Sequence, residues 1–69
     1  MKPHEERVVA EYEDLGVKLS KLRPFLSTDL FKSLPLEEQH RLILQEYYMQ
    51  GYMWVLHARI RAFPKTAPE

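Results

Sequence analysis

Residues 36–63 read LEEQHRLILQEYYMQGYMWVLHARIRAF, and this stretch decides the fold of the chain. Pro35 and two glutamates at its start, and two arginines before Pro64 at its end, are the signals of one long helix. Its 28 residues would span roughly 40 Å. Apolar side chains occupy more than one face of that helix: Leu42, Ile43, Leu44, Tyr47, Tyr48, Met49, Tyr52, Met53, Trp54, Val55, Leu56 and Ile60. A helix that is apolar nearly all round has to be buried on those faces, and a chain of 69 residues is too short to cover it alone. We therefore expect a homo-oligomer.

A second helix is predicted upstream, over about residues 3–23. Pro3 fits a first-turn position, and Pro24 is expected to end the helix. Its apolar residues are spaced 4, 3, 4 and 3 apart and form one narrow stripe: Val8, Tyr12, Leu15, Leu19 and Leu22. Such a stripe predicts packing against one other helix.

The connection, residues 24–35, is too apolar for a loose linker. Ser27, Thr28 and Asp29 offer a helix cap for a short helical turn through Leu30 and Phe31. Ser33 is expected to cap the long helix at about 36–63, and the tail, residues 64–69, is expected to be frayed. The fold class predicted is all-α, a single helical-hairpin domain over residues 1–69.

The two helices are expected to pack antiparallel. The stripe of the long helix that faces the first helix is then Leu42, Gln45, Met49, Tyr52, Leu56 and Ile60. This pairing is expected to place Glu5 and Glu6 near Arg59 and Arg61, and residues 18–23 near Glu37 and Glu38. The apolar residues left over are the predicted contacts between subunits: Leu44, Tyr47, Tyr48, Gly51, Trp54 and Val55.

Composition narrows the classes of function. There is no cysteine, hence no disulfide and no thiolate ligand, and His4, His40 and His57 lie too far apart for a metal site. Ten basic and ten acidic residues give zero net charge, which does not favour a nucleic acid polymer or an anionic membrane as partner. No signal peptide and no stretch of about 18 apolar residues is evident. We expect a soluble intracellular protein without metal or cofactor.

No catalytic motif appears, so the candidates are binding residues. Tyr12 is either a core tyrosine or a plate on which a nucleobase stacks. The basic side chains of Lys18, Lys21 and Arg23 either complement a helix end or clamp a phosphate. The same two interpretations apply to the basic residues at the end of the long helix, Arg59 and Arg61. His57 beside them is either a hydrogen-bond donor to a phosphate or a surface residue.

Tyr47, Tyr48, Tyr52 and Trp54 form an unusual aromatic cluster. Aromatic residues are enriched at the cores of interfaces, which favours packing between subunits. A nucleobase slot between subunits is the alternative, and the two are compatible.

The spacing of several short motifs resembles one family along almost the whole chain. The motifs are His4-x-x-Arg7-Val8-Val9-x-Glu11, Lys21-Leu22-x-x-Phe25-Leu26, Phe31-x-x-Leu34, the Glu38 and Leu42 positions, and Gln45-x-x-x-Met49-x-x-Tyr52-x-x-x-Leu56-x-x-Arg59-Ile60. They resemble the small phage helical-hairpin proteins related to the anti-CBASS and anti-Thoeris cyclic-nucleotide sponges.

The resemblance implies a non-enzymatic protein that acts in the cytoplasm of an infected bacterium. Such proteins form homo-oligomers, often hexamers built from dimers, and hold cyclic di- or trinucleotides or cyclic ADP-ribose relatives in pockets between subunits. Tyr12 lies where that family has a base-stacking tyrosine. The phosphate-contacting lysine and following threonine of that family have no clean match in this chain, where Lys21, Arg23 and Thr28 only lie nearby.

The leading hypothesis is thus a sponge that sequesters a cyclic nucleotide signal without cleaving it. The rival is a helical oligomerisation or protein-interaction module that presents Tyr47, Tyr48 and Trp54 to another protein. A nucleic-acid-binding hairpin is a third class, disfavoured by the zero net charge.

Overall fold

Three helices make up the fold of residues 2–64, which are the residues that the computed structural model describes: α1 (Pro3–Phe25), α2 (Asp29–Lys32) and α3 (Leu36–Arg61). The described residues contain no strand. Tyr12 lies against His57 and Arg23 against Glu46, so α1 and α3 run antiparallel. The result is a rod of 57 × 15 × 15 Å made of two long helices packed together. The predicted frayed tail lies, from residue 65 on, outside the described residues.

The ends of the long helices differ from the predicted ones by two residues each. α1 does not stop before Pro24 but runs to Phe25, because a proline in the last turn removes only one hydrogen bond of the helix. α3 ends at Arg61 rather than at residue 63, with Ala62 as its C-cap.

The predicted cap of α2 is confirmed. The Thr28 hydroxyl accepts a hydrogen bond from the Phe31 backbone N–H at 3.1 Å and donates one to the Phe25 carbonyl at 2.7 Å. The Phe31 ring is buried and meets the Phe25 ring edge-on, with the ring centres 5.9 Å apart. The connection therefore closes one end of the helix pair.

The predicted serine cap of α3 is wrong. Ser33 is the C-cap of α2, and its hydroxyl donates to the Leu30 carbonyl at 2.6 Å. Pro35 takes the N-cap position of α3 and makes no side-chain cap bond. The Gln39 side chain instead closes this junction, since it donates to the carbonyls of Lys32 and Leu34 at 3.0 and 2.8 Å.

The core between α1 and α3 is small. Val8, Leu15 and Leu56 are its buried centre, and the partly buried residues packed on it are Tyr12, Met49, Met53, Ile60 and Phe63. Four positions of the predicted α3 stripe are buried or partly buried, and the prediction is wrong at Gln45, which is exposed. Tyr52 is also exposed but contacts α1 at its margin through Glu11, while Met53 packs on the core, because a 3.6-residue helix drifts away from a strict heptad.

The predicted charge pairing of residues 18–23 with Glu37 and Glu38 is wrong. Arg23 pairs with Glu46, while Glu38 pairs with Arg41 on the same helix and Lys18 with Asp14. Because Arg23, near the end of α1, lies opposite Glu46, the first turns of α3 project beyond the end of α1.

At the other end of the rod, the expected nearness of Glu5 and Glu6 to Arg59 and Arg61 stays a prediction. Among the described residues, the ion pairs join neither Glu5 nor Glu6 to Arg59 or Arg61. Glu5 is buried and accepts a hydrogen bond from the Lys2 backbone N–H at 3.0 Å. This carboxylate therefore closes the start of its own helix.

Candidate functional site: an aromatic groove along α3

An open groove with a cavity volume of about 690 Å³ follows the middle of α3. Its walls combine one stretch of α3 with two side chains of α1, and the lining residues are Tyr12, Arg23, Tyr47, Tyr48, Gln50, Gly51, Tyr52, Met53, Trp54, Val55 and His57. We call it the aromatic groove. Five of its eleven lining residues carry aromatic rings of tyrosine or tryptophan, which suits flat ligands or other aromatic surfaces.

At one end of the groove, Tyr12 lies beside His57. The two ring centres are 5.8 Å apart and the ring planes are inclined by 32°. Tyr12 also packs on the core formed by Val8, Leu15 and Leu56, so its ring is held in place while part of it faces solvent. A fixed, partly exposed ring next to an imidazole is an arrangement on which a planar base can stack.

At the other end, the Arg23 guanidinium is held by Glu46. Arg23 Nε lies 3.0 Å from Glu46 Oε2, and about half of the arginine side chain is exposed. Glu46 is more covered, with 21% of its side chain exposed. Arginine can hold a phosphate by charge-assisted hydrogen bonds, but here the phosphate would compete with the Glu46 carboxylate.

The two ends are far apart. Tyr12 and Arg23 lie eleven residues apart on α1, which corresponds to roughly 16 Å along the helix, and their directions differ by only about 20°. Both side chains therefore open on the same side of α1. A ligand that contacted both would be elongated, which favours a molecule of more than one nucleotide unit.

Tyr52 fixes the two helices to each other beside the groove. Its hydroxyl donates a short hydrogen bond to the Glu11 carboxylate on α1. That bond is the main reason why the pKa of Tyr52 is raised; desolvation and the negative charge of Glu11 raise it further, while the positive charge of Arg59 lowers it. The hydroxyl therefore stays protonated to higher pH than that of a free tyrosine.

The far side of the groove is exposed to an unusual extent. Tyr47 and Tyr48 meet edge to face, with ring centres 5.4 Å apart, and each is about two-thirds exposed. Trp54 is 72% exposed. Contiguous apolar surface of this kind marks a binding surface for a ligand or another chain.

Three of the eight predicted ligand-binding residues line the groove: Tyr12, Arg23 and His57. Lys18 lies outside it, paired with Asp14 at 3.3 Å, and Lys21 points about half a helical turn away from Tyr12. The Thr28 hydroxyl is engaged in the N-cap of α2.

The remaining two predicted residues, Arg59 and Arg61, lie in the last turn of α3. Arg59 is roughly 20 Å along α3 from Glu46, the partner of Arg23. Within one chain, the two basic ends therefore do not converge on a single small ligand.

Sequence reasoning missed Glu11, Glu46 and Gln50. Gln50 could have been found, because it lies seven residues before His57 and so on the same side of α3. The contacts of Glu11 and Glu46 depend on how α1 and α3 are aligned with each other. The spacing of residues within one helix does not determine that alignment.

Among residues 2–64, no cluster of three or more histidine, aspartate or glutamate side chains is placed to bind a metal ion. None of the helices in this part of the chain has the length and apolar character needed to cross a membrane.

Comparison with known proteins identifies one family whose model matches the chain. The model of the Sequestin family matches residues 2–62, and so spans all three helices. No curated protein and no solved structure matches the chain.

Proposed function

Because the chain belongs to the Sequestin family, we propose that it sequesters a cyclic nucleotide signal in the aromatic groove and does not cleave it. The family name fits sequestration of a ligand, and the resemblance to phage cyclic-nucleotide sponges supports the class of ligand proposed: a cyclic di- or trinucleotide or a cyclic ADP-ribose relative. The proposal includes a phage origin, action in the cytoplasm of the infected bacterium, and opposition to a CBASS or Thoeris defence. It also includes assembly of the chain with itself, as a dimer or hexamer.

One observation carries the proposal. Tyr12 is held against the core and beside His57 at one end of a groove whose other end holds the Arg23 guanidinium. An aromatic plate for a base and a cation for a phosphate are the two contacts that a nucleotide needs. Their separation of roughly 16 Å favours a ligand with more than one nucleotide unit.

The first experiment mixes the purified protein with a panel of cyclic dinucleotides, cyclic trinucleotides and cyclic ADP-ribose isomers. Isothermal titration calorimetry measures binding, and chromatography of the ligand released by heating measures its integrity. We expect saturable binding of one member and its recovery intact. No binding to any member of the panel would contradict the proposal.

The base-stacking role of Tyr12 is tested by a matched pair of variants. Stacking of a base on an aromatic side chain is worth about 1–3 kcal/mol, so Tyr12→Ala should weaken binding by about fivefold to 150-fold. Tyr12→Phe keeps the ring and should bind like the parent protein. Equal affinity of the alanine variant would remove Tyr12 from the site.

The role of Arg23 is tested by two substitutions with opposite expected effects. Arg23→Gln removes the cation and should weaken binding. Glu46→Gln removes the carboxylate that competes for Arg23 and should tighten it, since the guanidinium is then free to bind a phosphate. A change in the same direction for both variants would indicate that the ion pair only stabilises the fold.

A protein-interaction module is the second candidate function. It is favoured by the exposure of Tyr47, Tyr48 and Trp54, which a single chain leaves uncovered. A mass of one chain in solution together with no affinity for any cyclic nucleotide would favour this module over the sponge.

A further inference from the structure

The chain has three glutamines, and Gln50 differs from the other two. Gln39 donates hydrogen bonds to two backbone carbonyls, and Gln45 donates one to the Met49 sulfur at 3.8 Å. Gln50 lines the aromatic groove, and its amide makes no hydrogen bond to any other described residue. The fold of the chain therefore leaves both hydrogen-bonding atoms of this amide available to a ligand.

The alignment of the two long helices places Gln50 between the two ends of the groove. Three contacts between α1 and α3 follow one another on this side of the helix pair: Tyr12 with His57, Gly16 with Met53, and Arg23 with Glu46. On α3, Gln50 comes between the last two of these contacts, roughly 6 Å along the helix from Glu46 and roughly 10 Å from His57. It is therefore nearer to the Arg23 end of the groove than to the Tyr12 end.

Helix geometry directs Gln50 and Arg23 towards the same half of the groove. The Cα–Cβ bonds of an α-helix tilt towards its N-terminus, so the Gln50 side chain covers the turn that contains Glu46. Because α1 runs antiparallel to α3, Arg23 tilts in the opposite direction, towards Gln50. One half of the groove thus combines an amide with a guanidinium, while the Tyr12 ring occupies the other half.

The Gln50 amide offers what its polar neighbours do not. Arg23 has donors only, and the Ser20 hydroxyl on the facing stretch of α1 already donates to the Val17 carbonyl at 2.6 Å. A glutamine amide carries a donor and an acceptor side by side. A phosphate has only acceptors, so this pair of atoms suits an edge of a nucleobase better than it suits a phosphate.

Adenine presents an edge that matches a glutamine amide. Its N7 atom accepts a hydrogen bond and its N6 amino group donates one, and glutamine can bind both at once. Guanine presents two acceptors, N7 and O6, along the corresponding edge. The amide can therefore satisfy both atoms of adenine but only one atom of guanine.

We propose that Gln50 binds the edge of the base that lies in the Arg23 half of the groove, and that it selects adenine over guanine. Tyr12 stacks on the flat face that every base has, so the Tyr12 half of the site tolerates any base. This role of Gln50 rests on the proposed function and narrows its ligand to a cyclic nucleotide with at least one adenine.

Three cyclic dinucleotides with the same linkage test the selection: one with two adenines, one with an adenine and a guanine, and one with two guanines. Isothermal titration calorimetry measures the affinity of the parent protein for each. We expect the mixed ligand to bind about as tightly as the ligand with two adenines, because it can place its adenine at Gln50 and its guanine on Tyr12. The ligand with two guanines should bind about fivefold to 150-fold more weakly, which is the discrimination given by one bidentate pair.

A cyclic ADP-ribose isomer and its guanine counterpart make the same comparison for a ligand with a single base. Here too we expect the guanine compound to bind more weakly to the parent protein.

Substitutions of Gln50 separate base selection from general binding. Gln50→Ala should bind adenine and guanine ligands equally, because the amide that distinguishes them is gone. Gln50→Lys should reverse the preference, since a lysine donates to guanine N7 and O6. Gln45→Ala is the matched control: it removes an exposed glutamine of the same helix that does not line the groove, and it should keep the affinities and the order of the parent protein.

Two results would overturn the role of Gln50 and leave sequestration standing. One is equal affinity of the parent protein for adenine and guanine ligands, and the other is a Gln50→Ala variant that keeps the preference of the parent. Circular dichroism of each variant checks that its helices are intact. Absence of binding to every ligand would contradict the proposed function itself, and the role of Gln50 with it.

Discussion

Single side chains of one helix fix the position of the other. The Tyr52 hydroxyl binds Glu11, the Arg23 guanidinium binds Glu46, and the Tyr12 ring lies against His57. All three contacts join α1 to α3, and they set the register in which the aromatic groove forms. These polar and aromatic contacts at the margin of the helix pair thus add to the packing of a core that contains few buried residues.

Tyr52→Phe removes the hydroxyl and leaves the ring in place. Because the hydroxyl links the two helices through Glu11, we expect a lower urea midpoint of unfolding. The control is Tyr47→Phe, whose hydroxyl has no hydrogen-bond partner among the described residues, and which should unfold like the parent protein. Equal midpoints for Tyr52→Phe and the parent protein would show that the bond contributes nothing in solution.

The raised pKa of Tyr52 makes this contribution depend on pH. A group whose pKa is higher in the folded state stabilises that state while it is protonated, so the contribution is complete below the ordinary tyrosine pKa, about 10, and disappears as pH rises through the folded value. We expect the difference in stability between the parent protein and Tyr52→Phe to shrink above about pH 10. Urea unfolding of both proteins between neutral and alkaline pH measures it, and a difference that grows with pH would contradict the assignment.

Thr28→Ala should destabilise the protein by about 1 kcal/mol. The threonine hydroxyl satisfies the Phe31 N–H at the start of α2, and loss of an N-cap typically costs this much. Ser27→Ala is the matched control, because Ser27 is exposed and its hydroxyl makes no hydrogen bond among the described residues. Urea unfolding followed by circular dichroism distinguishes the two, and equal effects would contradict the assignment of the cap.

At the scale of the helices, apolar periodicity and turn residues predicted the elements, but not which neighbouring residue faces the core. Tyr52 and Met53 are adjacent and both apolar, so the pattern alone could not choose between them. The choice depends on the drift of a straight helix over several turns and on Glu11, which draws the Tyr52 hydroxyl to the margin. Ser33 shows the same limit. Its position in the sequence allows it to cap either the end of α2 or the start of α3, and in the structure it caps the end of α2.

The candidate site was predictable only in part. Tyr12 and His57 could be singled out as aromatic or polar residues on apolar stretches, and the structure brings them together. Lys18, Lys21 and Arg23 form one cluster in the sequence, yet only Arg23 turns towards the groove, because Lys18 and Lys21 lie five and two positions before it and so point roughly 140° and 160° away from it.

Gly16→Ala should stabilise the hairpin by roughly 0.5–1 kcal/mol. Gly16 lies in the middle of α1, and a Cβ atom there would be 3.5 Å from Met53 Cε, which is an ordinary van der Waals contact. The gain in helix propensity is therefore expected without a steric penalty. Thermal unfolding measures it, and a lower midpoint for the alanine variant would show that α1 and α3 are packed more closely at this point.

At the scale of the whole molecule, shape and surface lead to one conclusion. A rod of two helices buries a single stripe of each, and the long α3 keeps an apolar face that α1 does not reach. In the proposed assembly, a second copy covers that face, and the groove between the copies holds the ligand. The same packing of two copies thus accounts for the length of α3, for its exposed apolar face and for the groove that holds the ligand.

The most direct test of ligand sequestration is calorimetric titration of the protein with the panel of cyclic nucleotides, followed by chromatography of the ligand released by heating. We expect saturable binding of one cyclic nucleotide by the parent protein and by Tyr12→Phe, weaker binding by Tyr12→Ala, and recovery of the ligand intact. Absence of binding across the whole panel, or recovery of a cleaved ligand, would contradict sequestration in the aromatic groove.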